Sequence, residues 1–199
     1  MTVPLRDTMS RISPLRRQLR QWNRSLPVQV ASFSSAESSN HAFDRELKRL
    51  QRDGAARAHK AWSPGPNRVD YDYFRQEIAR RLVDRLDDIR RDEGFPLALD
   101  IGAGAGYIHR SICADEAFDG VGGIGGVRKL VQLDISEEML HRDEHVAVVG
   151  AERCGTYRMV SDEEEQLPFP DGTFDLVISS TSMHWVNNLP SLFGEVKVR

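Results

Sequence analysis

The chain has 199 residues, 40% of them hydrophobic and 29% charged, with a formal net charge of −3. A mean hydropathy of −0.47 and the lack of any long uncharged apolar run argue against a membrane-spanning helix, and the mild negative charge gives no reason to expect nucleic acid. Two cysteines, Cys113 and Cys154, are too few for a disulfide framework and match no zinc spacing, so the sequence predicts a soluble intracellular protein with a real hydrophobic core.

The charge is unevenly spread. Residues 1–36 hold six arginines, no lysine and the single acid Asp7, a net +5 that leaves −8 for the other 163. The same segment is rich in serine, and Leu5, Ile12, Leu15, Leu19 and Trp22 are spaced to share a helix face opposite the arginines. An Arg-rich, Ser-rich, acid-poor amphipathic leader has the composition of an organelle transit peptide, suited to an anionic surface and an inside-negative potential. Residues 1–36 are therefore predicted to be a mitochondrial transit peptide.

A charge-dense helical extension is predicted over 37–92. Phe43, Leu47 and Leu50 fall at helical spacing among mixed charges, and Pro64-Gly65-Pro66-Asn67 breaks the chain. A second helix is predicted over 71–89, with Phe74, Ile78, Leu82 and Leu86 on one face and Asp70 as its N-cap. The two helices are expected to form a lid or a docking surface.

From residue 93 the pattern changes. Leu97-Ala98-Leu99-Asp100-Ile101 reads as a buried strand, Gly102-Ala103-Gly104-Ala105-Gly106 as a turn, and the stretch from Tyr107 to Cys113 as a helix. Strand, glycine turn and helix bring backbone N–H groups to an anionic ligand, and glycine lets that ligand approach where a Cβ would stand. A dinucleotide loop needs G-x-G-x-x-G, but here the third glycine arrives one residue early. The D-x-G-x-G-x-G spacing instead resembles the first motif of class I S-adenosylmethionine-dependent methyltransferases.

Three later segments extend the pattern. Lys129 to Asp134 reads as a second strand ending in an acid, placed to accept both ribose hydroxyls of a nucleoside 28 residues after Gly106. Met139, on the following helix, is positioned to pack against adenine. Tyr157 to Asp162 reads as a third strand whose terminal Asp162 accepts from the adenine amino group, and Thr173 to Ser180 as a fourth. The sequence Gly120-Val121-Gly122-Gly123-Ile124-Gly125 does fit G-x-G-x-x-G, but it leads into a strand rather than out of one. It is expected to be a flexible loop.

Taken together, Phe43-Asp44-Arg45-Glu46-Leu47-Lys48-Arg49, Leu97-Ala98-Leu99-Asp100-Ile101-Gly102, Asp162-Glu163-Glu164, Leu167-Pro168-Phe169 and Ser182-Met183-His184-Trp185-Val186-Asn187-Asn188-Leu189-Pro190 resemble the mitochondrial complex I assembly factor 5 family over residues 42–192. The resemblance implies a mitochondrial matrix protein, with peripheral association to the inner membrane allowed, that serves assembly of the NADH:ubiquinone oxidoreductase. Its partner would be a complex I subunit or assembly intermediate. The chemistry implied is hydroxylation of an arginine on that subunit. The fold implied is a three-layer, Rossmann-like α/β methyltransferase fold with a mostly parallel sheet. The cofactor implied is S-adenosylmethionine, held by Asp100, Gly102, Gly104, Gly106, Asp134, Met139 and Asp162, with no metal.

Two departures from the family carry expectations. The glycine insertion at 120–126 is expected to enlarge a loop beside the cofactor edge. The chain also stops at Arg199, so residues 93–199 are expected to hold a truncated domain with about four of seven strands and an uncovered edge on the fourth. No acid–base constellation is evident, and His184 is only a candidate base or orienting group. Methyl transfer relies mostly on proximity, so this absence does not exclude it. Two other readings stay open: a small-molecule or carboxyl O-methyltransferase, and a non-enzymatic assembly chaperone or inactive truncated product.

Overall fold

The computed structural model describes residues 41–61, 72–89, 91–114 and 122–198. The Arg-rich leader, the break at 64–67, the Asp70 cap and residues 120–121 lie outside them. In chain order the elements are α1 (Arg45–Ala61), α2 (Asp72–Asp84) with a 3-10 turn (Arg85–Asp88), β1 (Leu97–Ile101), α3 (Tyr107–Cys113), a 3-10 turn (Ile124–Gly126), β2 (Lys129–Asp134), α4 (Glu137–Leu140), β3 (Gly155–Val160), β4 (Leu176–Ile178), a 3-10 turn (Met183–Trp185) and α5 (Leu189–Glu195).

The four strands form one sheet in the order β3-β2-β1-β4, and every pairing is parallel. Leu97 sits opposite Lys129, Lys129 opposite Gly155, and Ala98 opposite Leu176. Both faces of the sheet are covered, which is why β1 and β2 read as nearly unbroken apolar runs instead of alternating ones. Ala98 and Leu130 point into a core shared with Ala79, Val83, Ile108 and Ile112 from α2 and α3. Leu99, Ile101, Val131 and Leu133 point the other way, onto Leu167, Phe174, Val186 and Leu192. Helices, sheet and an α5 layer make the three-layer α/β fold. Cys113 and Cys154 are free thiols buried in the first core.

Local signals set the helix starts. Asp44 Oδ1 accepts from Leu47 N at 2.9 Å at the head of α1, Ser136 Oγ accepts from Met139 N at 3.1 Å at α4, and Asn188 Oδ1 accepts from Ser191 N at 3.1 Å at α5. Asp175 ties β4 to β1: its N donates to Leu97 O at 2.8 Å, and its Oδ2 accepts from Leu97 N at 3.0 Å.

Several expectations need correction. The stripe Leu47 and Leu50 of α1 faces outward, 52% and 48% exposed, while Asp53 and Ala56 are the residues it buries. The inward face is built from charges that find partners far along the chain. On α2 the core stripe is Ala79 and Val83, continued by Leu86, and Phe74 is 58% exposed. The third strand ends at Val160, two residues before Asp162, because its register against β2 runs out there. The fourth strand is only Leu176–Ile178.

The described part of the glycine insertion is a packed turn. Gly123 N donates to Val127 O at 2.8 Å, and Gly125 O accepts from Phe95 N at 2.9 Å. It lies at the amino ends of β1 and β2, opposite the cofactor edge where the insertion was expected.

Candidate functional site

The chain leaves β1 toward β2 and β3 on one side and returns to place β4 on the other. Loops after β1 and β4 therefore diverge, and such a switch point leaves a crevice beyond the carboxyl ends of the strands. Here it opens into a cavity of about 1050 Å³. Asp100 and the 102–105 loop line it from β1, and Ser180, Thr181, His184 and Trp185 line it from β4. Met139 comes from α4, and Lys48, Gln51 and Arg52 come from α1, so α1 borders the crevice.

The glycine loop fits a close-approaching ligand. Gly104 has φ +57°, and a Cβ added there would meet nothing nearer than Arg52 Nη2 at 3.6 Å. Gly102 has φ +69°, and its Cβ would fall 1.9 Å from Ser182 Oγ. That glycine is where the two diverging loops touch. Gly106 sits against Gln132 at the head of α3 and does not itself line the cavity. Thr181, at φ +55°, is the one non-glycine with positive φ among the described residues, and it faces the cavity. Backbone strain of this kind tends to gather at functional sites.

Asp100 is fully buried, and neither carboxylate oxygen has a hydrogen-bond partner. Burial, with the nearby charge of Asp134, pushes its pKa well above the ordinary 3.8. An acid raised in this way keeps its proton longer in the folded state, so stability falls as pH climbs from the unfolded value through the folded one. We expect Asp100→Asn to remove that slope and raise Tm at neutral pH while weakening cofactor binding. Thermal melts over pH 4–8 check this, and an unchanged slope contradicts it.

Asp134 is also buried, but fully partnered. Its Oδ2 accepts from Gly104 N at 2.9 Å and from Arg52 Nη2, and its Oδ1 accepts from Ser136 N at 2.9 Å and Arg52 Nε at 3.0 Å. It borders a narrow cleft that shares Lys48, Arg52, Gly102 and Trp185 with the main cavity. Asp162 lines neither space. Arg45 Nη2 donates to it at 2.8 Å and also binds Glu163 at 2.8 Å. The structure thus brings Asp100, Gly102, Gly104, Met139 and His184 to one cavity, with Asp134 at its border and Asp162 apart.

Several lining residues were missed by sequence reasoning. Arg142, 3% exposed, donates to Asp72 and Asp143 at 2.7 Å and to Tyr107 Oη at 3.0 Å, tying α2 to α3 and to the turn after α4. Burial pushes the Tyr107 phenol up to about 12. Lys48 lies 3.2 Å from the Trp185 ring centre, and His184 packs 5.0 Å from the same indole. Burial, then the neighbouring Arg52, Arg45 and Arg75, hold the Lys48 ammonium below its ordinary pKa. The recurrence of Arg45, Lys48 and Arg52 at i, i+3 and i+7 was the available signal, because it puts three cations on one helix face.

The residues present suit S-adenosylmethionine. A glycine cradle stands beside an orphaned carboxylate able to take an ammonium, and a second carboxylate lies at the end of the next strand. Residues 99–198 match the family model described as a methyltransferase domain. The chain belongs to the methyltransferase domain family.

Other similarities agree with this membership. The arginine-hydroxylase NDUFAF5 of Rattus norvegicus, named as mitochondrial, is 40% identical over 165 residues, covering 83% of this chain and 40% of that protein. The Homo sapiens protein of the same name is 37% identical over 163 residues, 82% of this chain and 40% of that protein. This methyltransferase-domain chain therefore spans about 40% of the length of these relatives. Among solved structures, a chain of the complex between the Haloferax volcanii Trm112 methyltransferase activator and a methyltransferase matches with TM-score 0.52 and 20% identity, covering 73% of this chain and 54% of that one. That likeness speaks to the fold.

Proposed function

We propose that this chain binds S-adenosylmethionine in the β1/β4 crevice and serves mitochondrial complex I assembly by acting on an arginine of a subunit. The observation that carries the cofactor reading is the buried, partnerless Asp100 carboxylate beside the glycine loop in a cavity of about 1050 Å³. The arginine and the mitochondrion come from the names of the NDUFAF5 relatives. On this reading residues 1–36 address the chain to the organelle, 37–92 are the helical extension, and 93–199 are the cofactor domain. Among the described residues no helix is long and apolar enough to cross a membrane.

In this assignment Asp100 holds the methionine ammonium, the backbone of Gly102 and Gly104 gives the ligand close access, and Gly106 turns the chain into α3. Asp134 accepts the ribose hydroxyls, and Met139 packs against adenine. Asp162 takes no part in this assignment, because it lines neither space and is held by Arg45 and Glu164 N. When bound, the cofactor supplies an electrophilic methyl group on a sulfonium. His184 and Trp185 form the wall beyond β4, where they orient an acceptor and exclude water.

A second reading, an assembly chaperone, is favoured by the exposed Leu47, Leu50, Tyr73 and Phe74 on α1 and α2. Gly104→Asp separates the two. Aspartate tolerates positive φ better than most residues, and the added Cβ has room, so the variant folds while driving a carboxylate into the crevice. We expect it to lose S-adenosylmethionine binding in calorimetry and to fail to restore complex I in cells lacking the protein. Full restoration would favour the chaperone. Mass analysis of the subunit arginine, a gain of one oxygen or one methylene, then tells hydroxylation from methylation.

A further inference from the structure

Asp134 has no acceptor capacity to spare. A carboxylate offers about four lone-pair positions, and four donors fill those of Asp134: Gly104 N, Ser136 N and two N–H groups of Arg52. The two backbone donors cannot leave without undoing the glycine loop and the start of α4. The two guanidinium donors can, since the Arg52 side chain is 22% exposed while Asp134 is 1% exposed. A ribose diol brings two donors, so the exchange is two for two. Gly104 lies directly beneath the guanidinium, so Arg52 also covers the loop that a ligand must approach.

Helix α1 does not depend on Arg52 for its docking. Ala56 is fully buried, Asp53 Oδ1 accepts from Ser136 Oγ at 2.5 Å, and Arg45 binds Asp162 and Glu163. Its side chain can therefore swing away while the helix stays in place.

We propose that Arg52 is an internal latch that occupies Asp134 until the ribose diol of a nucleoside ligand displaces it. The latch rests on the cofactor reading above. It gives Asp134 a counter-ion when no ligand is present, which matters because a buried carboxylate left alone is strongly unfavourable. It also lowers apparent affinity in proportion to the fraction of molecules held closed.

The test is calorimetric titration of the full chain, as wild type, Arg52→Ala and Arg52→Lys, with S-adenosylhomocysteine. Adenosine and 2′,3′-dideoxyadenosine are then compared as competitors. With about nine-tenths of molecules latched, Arg52→Ala binds S-adenosylhomocysteine about tenfold more tightly. Arg52→Lys, which keeps the charge but loses the two-pronged geometry, shifts the same way by less. Adenosine tightens and the dideoxy compound does not. Equal or weaker binding by Arg52→Ala, with wild type binding normally, overturns the latch and leaves the cofactor site standing. Equal tightening for both nucleosides also overturns it, because removal of Arg52 would then only widen the cavity. If no variant binds although all melt cooperatively, the cofactor site and the latch fall together. Should Arg52→Ala fail to fold, the direction of the Arg52→Lys shift decides.

Discussion

Gly102→Ala is expected to destabilise the protein by about 2–5 kcal/mol and to close the crevice. A side chain at positive φ costs roughly 1–2 kcal/mol, and an extra methyl in a packed position about 1–3 kcal/mol more. Both apply here, since φ is +69° and the new Cβ would stand 1.9 Å from Ser182 Oγ and 2.2 Å from Ser182 Cβ. Ser182 is 7% exposed and its carbonyl accepts from Trp185 N at 3.0 Å, so relief must move the whole cavity wall beyond β4. For a chain of this size the loss corresponds to a fall in Tm of about 10 °C. The double variant Gly102→Ala with Ser182→Gly should recover part of the stability, because the clash goes and the strained φ remains. A single variant that melts like wild type would show that the two loops do not meet as described.

Asp134→Asn is expected to weaken S-adenosylhomocysteine binding about a hundredfold, since charge-assisted bonds to the ribose would become neutral or be lost. The fold should also lose about 1–3 kcal/mol. An amide has one oxygen where the carboxylate has two. Gly104 N donates to one oxygen and Ser136 N to the other, so either amide orientation turns an NH₂ group against a backbone donor. Isothermal titration and denaturant unfolding measure the two effects. Arg52 and Asp134 form one ion pair, yet their substitutions should change affinity in opposite directions. A purely structural pair would weaken binding from either side.

The sheet core was legible because each central strand carries its own signal. Leu97-Ala98-Leu99 runs straight into Asp100 and Leu130-Val131-Gln132-Leu133 into Asp134, largely apolar runs closed by an acid, as suits strands buried on both faces. The glycine loop was legible from its spacing alone. What escaped was everything decided by distant partners. Leu47 and Leu50 looked like the buried stripe of α1, but the helix docks by Arg45, Asp53 and Ala56. Arg52 meets Asp134 82 positions away, and Arg45 meets Asp162 117 positions away. Local periodicity scores such residues as solvent-facing, because it cannot see the acids that compensate their charge. The position of Asp162 beyond β3 has the same origin: strand length was set by pairing with β2, ending at Val160.

The same reasoning explains the two strand-end acids. Asp100 and Asp134 both stand near the carboxyl ends of adjacent strands, and both were read as cofactor-binding, Asp100 with the glycine loop and Asp134 with the ribose. The structure separates them by partners: Asp134 holds four donors, and Asp100 holds none. A protein that keeps an empty, protonation-prone carboxylate in its centre bears a stability cost with no structural return, which is the pattern expected where a cationic ligand group belongs.

Titration of the full chain with S-adenosylhomocysteine, followed by a melt of the complex, bears most directly on whether this crevice is a cofactor site. The account predicts one saturable site with a Kd of about micromolar strength. At a hundredfold ligand excess over Kd it predicts about 2.7 kcal/mol of added stability, seen as a Tm rise of several degrees. A chain that unfolds cooperatively but gives neither heat of binding nor a shifted Tm would contradict it.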